Sequence, residues 1–146
     1  MRSDSFSDSA FASLRVAGFL DFELVRARPP DVKHFGDAEA VFRVGTLLLR
    51  LVRDRGQEFM DLATIAAPDK FHQFDDVEIA MGWKTIDEVL AKRELEPLKQ
   101  ALARIREHFV ELEEAFSGDS AQARVERAAR DHGDAFMRRL RGNQQT

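Results

Sequence analysis

The sequence contains no cysteine and no tyrosine, and it has a single tryptophan. Without cysteine the chain can form neither disulfides nor thiolate metal sites, and it has no thiol nucleophile. No apolar run approaches the roughly 18 residues that a membrane-spanning helix needs. The first segment, Met1 to Asp8, holds one arginine and no apolar stretch, which is unlike a secretory signal. We therefore expect a cytoplasmic protein that does not enter the membrane.

Recognisable catalytic and cofactor motifs are also missing from the sequence. The glycines are isolated, which excludes a P-loop and a dinucleotide fingerprint, and neither Gly-x-Ser-x-Gly nor HExxH occurs. His72, Asp75 and Asp76 lie close together, but their spacing matches no dedicated metal loop. Carboxylates just before a short helix are more simply its caps and dipole partners. We expect no enzyme activity, no cofactor and no bound metal.

The charge balance bears on the kind of partner. Lysine and arginine number 22 against 26 aspartate and glutamate, for a net charge of −4. Nucleic-acid-binding domains are usually basic, so we expect no nucleic-acid partner. Three arginines near one face of the last helix, Arg124, Arg127 and Arg130, are interleaved with acidic residues and are typical of a solvated face. A mildly acidic surface suits a basic protein partner, and it equally suits ordinary solubility.

Alternating apolar residues predict strands in the first half of the chain. The first predicted strand carries Leu20, Phe22 and Leu24 and ends at the Pro29-Pro30 pair, because proline cannot donate to a strand ladder. Three further strands follow, joined by tight turns at Gly45-Thr46 and at Asp54-Arg55-Gly56. The second turn has the composition of a type I turn closed by glycine. The predicted strands lie near 20–24, 39–44, 47–52 and 57–63.

The second half of the chain has helical periodicity. A capping box at Thr85-Ile86-Asp87-Glu88 starts one helix, and Pro97 is well placed at the start of another. A heptad-like stripe from Leu95 to Phe116 has two interpretations, a core-facing helix or a homodimer seam. The last helix also has an apolar face, so the stripe can pack inside one molecule. We therefore expect a monomer rather than a homodimer.

These elements predict an α+β fold, an antiparallel β-meander of about four strands packed against a C-terminal helical half. The 146 residues form one domain, with a flexible tail at 1–9, the sheet at 19–64, helices at 74–141 and a polar tail at 143–146. Helices are expected on one face of the sheet. The predicted core comprises Phe22, Leu24, Phe42, Val44, Leu49, Leu51, Leu62, Ile79, Leu98, Leu102, Ile105, Phe109, Leu112, Val125 and Phe136.

The segment 35–83 resembles the small α+β immunity proteins of bacterial toxin–immunity systems. The resemblance lies in the strand 50–53, the tight turn Asp54-Arg55-Gly56, the strand 57–62 and a short Asp-led helix that ends at Gly82-Trp83. It implies a non-catalytic protein that binds and blocks a cognate toxin. Such proteins share no universal motif, so no functional residue is carried over.

We therefore predict a cytoplasmic, protein-binding protein, plausibly an immunity protein. The alternatives are a homodimeric structural or adaptor module that uses the Leu95–Phe116 helix, and a small-molecule-binding domain with a polar pocket near His34 or His72. Acidic residues at the edge of the sheet suit a basic toxin surface. The candidate partner-binding residues are Asp31, His34, Asp37, Glu58 and Asp61.

Overall fold

A computed structural model describes residues 5–31, 33, 37–92, 94 and 96–144. The fold is α+β, as predicted, with an antiparallel sheet and helices that are mostly C-terminal. Among the described residues, no helix is both long enough and apolar enough to cross a membrane. The elements are α1 (Ser5–Ala17), β1 (Glu23–Asp31), β2 (Asp37–Val44), β3 (Leu47–Asp54), β4 (Gln57–Thr64), β5 (Ala67–Gln73), α2 (Phe74–Ala80), α3 (Ile86–Ala91), α4 (Leu98–Glu107), α5 (Phe109–Ala115) and α6 (Asp119–Gln144).

The sheet is a meander of five strands in the order β1-β2-β3-β4-β5. The prediction of about four strands, ending near residue 64, missed β5. Its sequence does not alternate cleanly, because Pro68, Asp69 and Lys70 follow one another and all are exposed. Proline is tolerated there because β5 is an edge strand, where a backbone donor can be absent without breaking a ladder.

The first strand is displaced from its predicted position. β1 begins at Glu23 and runs through Pro29 and Pro30, which is possible because β1 is the other edge of the sheet. Leu20 precedes the strand, and Leu24 is 46% exposed. The prediction of Leu24 as a core residue is therefore wrong, since few side chains cover this outer strand.

Two tight hairpin turns set the register of the central strands. Gly45 has φ of 58° in the β2–β3 turn, as the sequence predicts. The β3–β4 turn differs from the prediction, because both Arg55 (φ 53°) and Gly56 (φ 79°) are left-handed, which is the two-residue type I′ geometry. The carboxylate of Asp37 stabilises this turn by accepting a hydrogen bond of 2.9 Å from the Arg55 amide.

The main core lies between the sheet and the helices. Helix α1 contributes Phe6 and Leu14, so residues 5–9, predicted to belong to a flexible tail, are instead helical and partly buried. Phe136 was predicted in the core but is 49% exposed, because that part of α6 borders an open cleft. The predicted residues that are fully buried are Phe42, Val44, Leu49, Leu51, Leu62, Leu102, Ile105, Leu112 and Val125, while Phe22, Ile79, Leu98 and Phe109 are half-buried.

The helical half follows the predicted pattern with two changes. The Thr85 capping box is confirmed, with each partner's side chain accepting from the other's backbone amide. The predicted 97–116 helix is divided into α4 and α5 at His108, whose φ of −106° and ψ of 21° depart from helical values. Helix α6 runs past Gly142 to Gln144 instead of ending at the glycine. The predicted stripe runs along α4 and α5 and packs into the protein's own core, while Leu95, its predicted first member, lies outside the described residues.

The opposite face of the sheet has a smaller buried cluster. Within the described chain it consists of strand residues alone, Val41, Leu48 and Ala63, with Phe71 packed against it. We call this side the open face. It matters for the site because Arg50 and Asp61 lie on it, next to the edge of β4.

Candidate partner-binding cleft at the edge of β4

The ladder between β4 and β5 covers only part of β4. The last pair in the register is Asp61 with Gln73, after which the chain turns into α2. The first three residues of β4, Gln57–Phe59, therefore have β3 on one side and no described strand on the other. This segment is an open strand edge inside the fold.

The hairpin geometry decides which backbone groups face that open edge. In a two-residue hairpin, the residues that flank the turn, here Asp54 and Gln57, exchange both of their backbone hydrogen bonds. Bonded and non-bonded pairs then alternate along the ladder. Gln57 and Phe59 therefore turn their N–H and C=O groups to β3, while Glu58 turns both of its groups to the open edge. Met60 points the same way, but its carbonyl is used by the Asp61–Gln73 pairing, which requires a bond from the Phe74 N–H.

Two adjoining cavities of about 520 and 690 Å³ lie beside this edge. We call them together the β4-edge cleft. Residues from the strand, from the start of α2 and from the described part of the range 92–98 line both cavities. They are Glu58, Asp75, Lys92, Glu96 and Leu98. The cleft also has further apolar side chains, namely Val52, Phe59, Met60, Phe74, Val89, Leu90, Pro97, Ala101 and Phe136.

The lining of the cleft is acidic. Seven carboxylates face two basic side chains, Arg50 and Lys92. The seven are Glu39, Asp54, Glu58, Asp61, Asp75, Glu94 and Glu96. Three further cations, Arg26, Arg53 and Arg104, pair with these carboxylates from outside the lining, so the local acidic excess is smaller than the lining alone indicates.

Most of these carboxylates already have a cationic partner. Four have one within 3.0 Å, in the pairs Glu39–Arg26, Asp61–Arg50, Asp75–Lys92 and Glu96–Arg104. Glu58 is exposed and only loosely paired, at 3.5 Å from Arg53. Asp54 and Glu94 are exposed and make no ion pair with any described residue. The carboxylates open to a partner are therefore Asp54, Glu58 and Glu94.

Asp61 is held in place on the open face. Arg50 donates two hydrogen bonds to Asp61 Oδ2, at 3.0 and 2.7 Å, and the Arg50 guanidinium lies 4.1 Å from the centre of the Phe71 ring. Burial raises the pKa of Asp61 above its ordinary value, and the hydrogen bond and charge of Arg50 oppose that rise. The Arg50–Asp61 pair thus links β3 to β4, and Asp61 contributes to the cleft as part of this fixed pair.

The wall opposite β4 is fixed by Arg104 of α4. Its guanidinium donates to Glu96 at 2.6 and 2.5 Å, and to Glu78 of α2 at 3.0 and 3.1 Å. The hydrogen bond from Arg104 holds the pKa of Glu96 below its ordinary value, and the same bonds raise the pKa of Arg104. The Lys92–Asp75 pair fixes the other end of this wall at 2.7 Å.

A histidine–aspartate pair closes the helical end of the cleft. His132 of α6 lines the larger cavity, and its Nδ1 lies 2.9 Å from the buried Asp76 Oδ1 at the start of α2. His72 on β5 contacts the Gln122 side chain of α6 in the same way. Both histidines tie α6 to the rest of the fold.

The structure places the predicted site residues in three settings. Glu58 and Asp61 line the β4-edge cleft, while Asp37 is engaged in the β3–β4 turn. The backbone of Asp31 pairs with Asp37 at the same end of the sheet as Glu58. The side chain of Asp31 and the whole of His34 lie outside what the structure describes.

Five carboxylates of the cleft were not predicted as site residues, namely Glu39, Asp54, Asp75, Glu94 and Glu96. Asp54 could have been found, because it flanks a hairpin turn next to Glu58. Asp75, Glu94 and Glu96 reach the site only through the path of the chain after β5. No local pattern indicates that Glu94 and Glu96 lie near the edge of β4.

The chain matches no protein-family model, no curated protein and no solved structure. In the described ranges, no three histidine, aspartate or glutamate side chains form a group that could hold a metal ion. The cleft is thus the feature of the described structure from which function can be argued.

Proposed function

We propose that the protein is a non-catalytic binding protein whose β4-edge cleft binds a basic partner protein. The observation that carries this proposal is the set of three exposed, weakly paired or unpaired carboxylates, Asp54, Glu58 and Glu94, around a cleft that also has apolar walls. A protein interface commonly combines an apolar centre with a polar rim. Rim charges of one sign attract an oppositely charged partner and raise the association rate.

The partner proposed on this basis is a bacterial toxin domain, which the protein would neutralise as an immunity protein. The resemblance of the segment 35–83 to such proteins supports this identity, and that segment contains β4 and its flanking turn. Neutralisation needs no chemistry from the binding protein, only occupation of a functional surface of the toxin.

A paired pull-down from an extract of the source cell tests the proposal. One bait carries Asp54→Lys, Glu58→Lys and Glu94→Lys, and its matched control carries Asp21→Lys, Asp69→Lys and Glu126→Lys, which are exposed carboxylates outside the cleft. Both baits undergo the same change of net charge. We expect a stoichiometric basic partner that binds the wild type and the control, binds the cleft variant poorly, and is released by salt. Equal capture by both variants would show that the cleft is not the binding surface.

The immunity role has a separate test. The captured partner is expressed in bacteria with and without the protein, and growth is followed. We expect the partner alone to arrest growth and co-expression of the wild type, but not of the cleft variant, to restore it. A partner that is harmless alone would contradict the immunity role and leave the binding role standing.

A second candidate function is the binding of a small molecule in the larger cavity. Its volume of about 690 Å³ is within the range of ligand pockets, and the His132–Asp76 pair offers a fixed polar group there. A small-molecule panel screened by thermal shift tests this candidate, with a positive result being a rise in Tm that His132→Ala abolishes.

A further inference from the structure

We infer that the open edge of β4 receives an extended, basic segment of the partner as an added β-strand. This inference deepens the proposed function and rests on it. An exposed strand edge presents unpaired N–H and C=O groups, which are a template for pairing with another chain. Here the template is the segment Gln57–Phe59, about 10 Å long at 3.4 Å per residue.

The backbone of Glu58 is the central group of this template. Its N–H and C=O face away from β3, and no described residue hydrogen-bonds to them. The cleft supplies open space along the same residues, since Gly56, Gln57 and Glu58 line one cavity and Glu58, Phe59 and Met60 the other. An incoming strand can thus lie beside β4 in the position that β5 vacates after Gln73.

The walls of the cleft define the chemistry of the segment. Successive side chains of a strand point to opposite faces. One set would meet the apolar Leu98 and Phe136 on the helical side, and the other would meet the open face, where Asp54 and Asp61 lie. With Glu58 and Glu94 at the rim, the segment that fits is one in which basic and apolar residues alternate.

The outer edges of β1 and β5 are less suitable for this pairing. β1 contains Pro29 and Pro30, and β5 contains Pro68, so these strands lack donors at those positions. β1 keeps its donors over Glu23–Arg28, so what favours β4 for a basic segment is the acidic cleft beside it.

A peptide titration tests strand addition. The probe is an acetylated and amidated heptapeptide of alternating lysine and valine, and its counterpart has glutamate in place of lysine. Binding is measured by calorimetry at low salt, and the exchange of each backbone amide is followed by NMR. We expect the lysine peptide to bind, the glutamate peptide not to bind, and the Glu58 amide to exchange more slowly in the complex.

Two substitutions at Glu58 separate backbone pairing from charge. Glu58→Gln removes the charge alone, whereas Glu58→Pro also removes the outward N–H donor, which the β3 ladder does not use. We expect Glu58→Pro to bind about 3- to 10-fold more weakly than Glu58→Gln, the effect of one lost hydrogen bond. Phe59→Pro is the matched folding control, because the Phe59 amide faces β3 and its loss should break that ladder.

The outcomes distinguish this inference from the proposed function. Equal affinities of Glu58→Gln and Glu58→Pro, or peptide binding without protection of the Glu58 amide, would overturn strand addition. So would a lysine peptide that fails to bind at about 1 mM. If Glu58→Pro does not fold, the protection of the Glu58 amide in the wild type decides the question. In each case the pull-down with the three-lysine cleft variant still reports separately on partner binding.

Discussion

Replacement of Arg104 by alanine should destabilise the protein more than any surface substitution. Arg104 bridges two carboxylates on different elements, Glu78 of α2 and Glu96 before α4. The Glu78 side chain is only 1% exposed, so it depends on its partners for the hydrogen bonds that water would otherwise provide. Removal of Arg104 leaves a buried charge with one remaining partner, Lys84, at 3.4 Å.

The size of the stability loss depends on the different burial of the two carboxylates. Removal of one partner of a buried ion pair typically costs about 3–5 kcal/mol. Lys84 still neutralises part of the Glu78 charge, and Glu96 can become hydrated, so the lower end applies, about 3 kcal/mol. For a domain near this size the loss corresponds to a fall in Tm of roughly 6–12 °C.

Urea unfolding followed by circular dichroism measures the difference directly. Lys99→Ala is the matched control, because Lys99 is exposed on the same helix and should change stability by less than about 0.5 kcal/mol. Arg104→Lys keeps the charge but not the bidentate geometry, and we expect an intermediate loss. A loss for Arg104→Ala below about 1 kcal/mol would refute the reasoning, since it would mean that Glu78 does not need its arginine.

Three further predictions concern the site and its surroundings. His132→Ala should lower the free energy of unfolding in urea by about 1–3 kcal/mol, because the buried Asp76 loses its hydrogen bond. Since Arg104 holds the pKa of Glu96 below its ordinary 4.5, the charged Glu96 stabilises the fold above that pH, and the stabilisation is lost as the pH falls through the lowered pKa. Unfolding curves between about pH 3 and pH 7 should therefore show a smaller acid loss in Glu96→Gln than in the wild type. Arg55→Gly should raise the free energy of unfolding by up to about 1 kcal/mol, and raise Tm with it, because Arg55 has a left-handed φ of 53° that glycine adopts without strain. A lower Tm would show that the turn is unstrained.

The sequence predicted the central part of the fold because its patterns there are local. Each signal depends only on residues close together in the sequence. These signals are the alternation in 39–63, a glycine at each hairpin turn and the stripe on α4 and α5. The structure confirms β2, β3, β4 and the helical half. The edges of the sheet were predicted less well. An edge strand is buried on few sides, so β1 and β5 need little alternation and tolerate proline.

The candidate site was predicted only in part, for a related reason. Glu58 and Asp61 could be proposed because they lie on a predicted strand, whereas Glu94 and Glu96 belong to a segment whose place depends on three intervening elements. Phe136 is the opposite case, a residue of the cleft that was predicted to lie in the core. Its position on an apolar stripe predicted burial, but the stripe extends beyond the core and borders the cleft.

The recessed position of the open β4 edge limits what can pair with it. The start of α2 and the described residues Lys92, Glu96 and Leu98 line the space beside this edge, so a strand that pairs there must fit between them. The outermost strands, which a second folded sheet could approach, carry prolines. Under the proposed strand addition, these flanking residues would favour a single extended chain over the edge of a second folded sheet, which is one way in which proteins limit edge-to-edge aggregation.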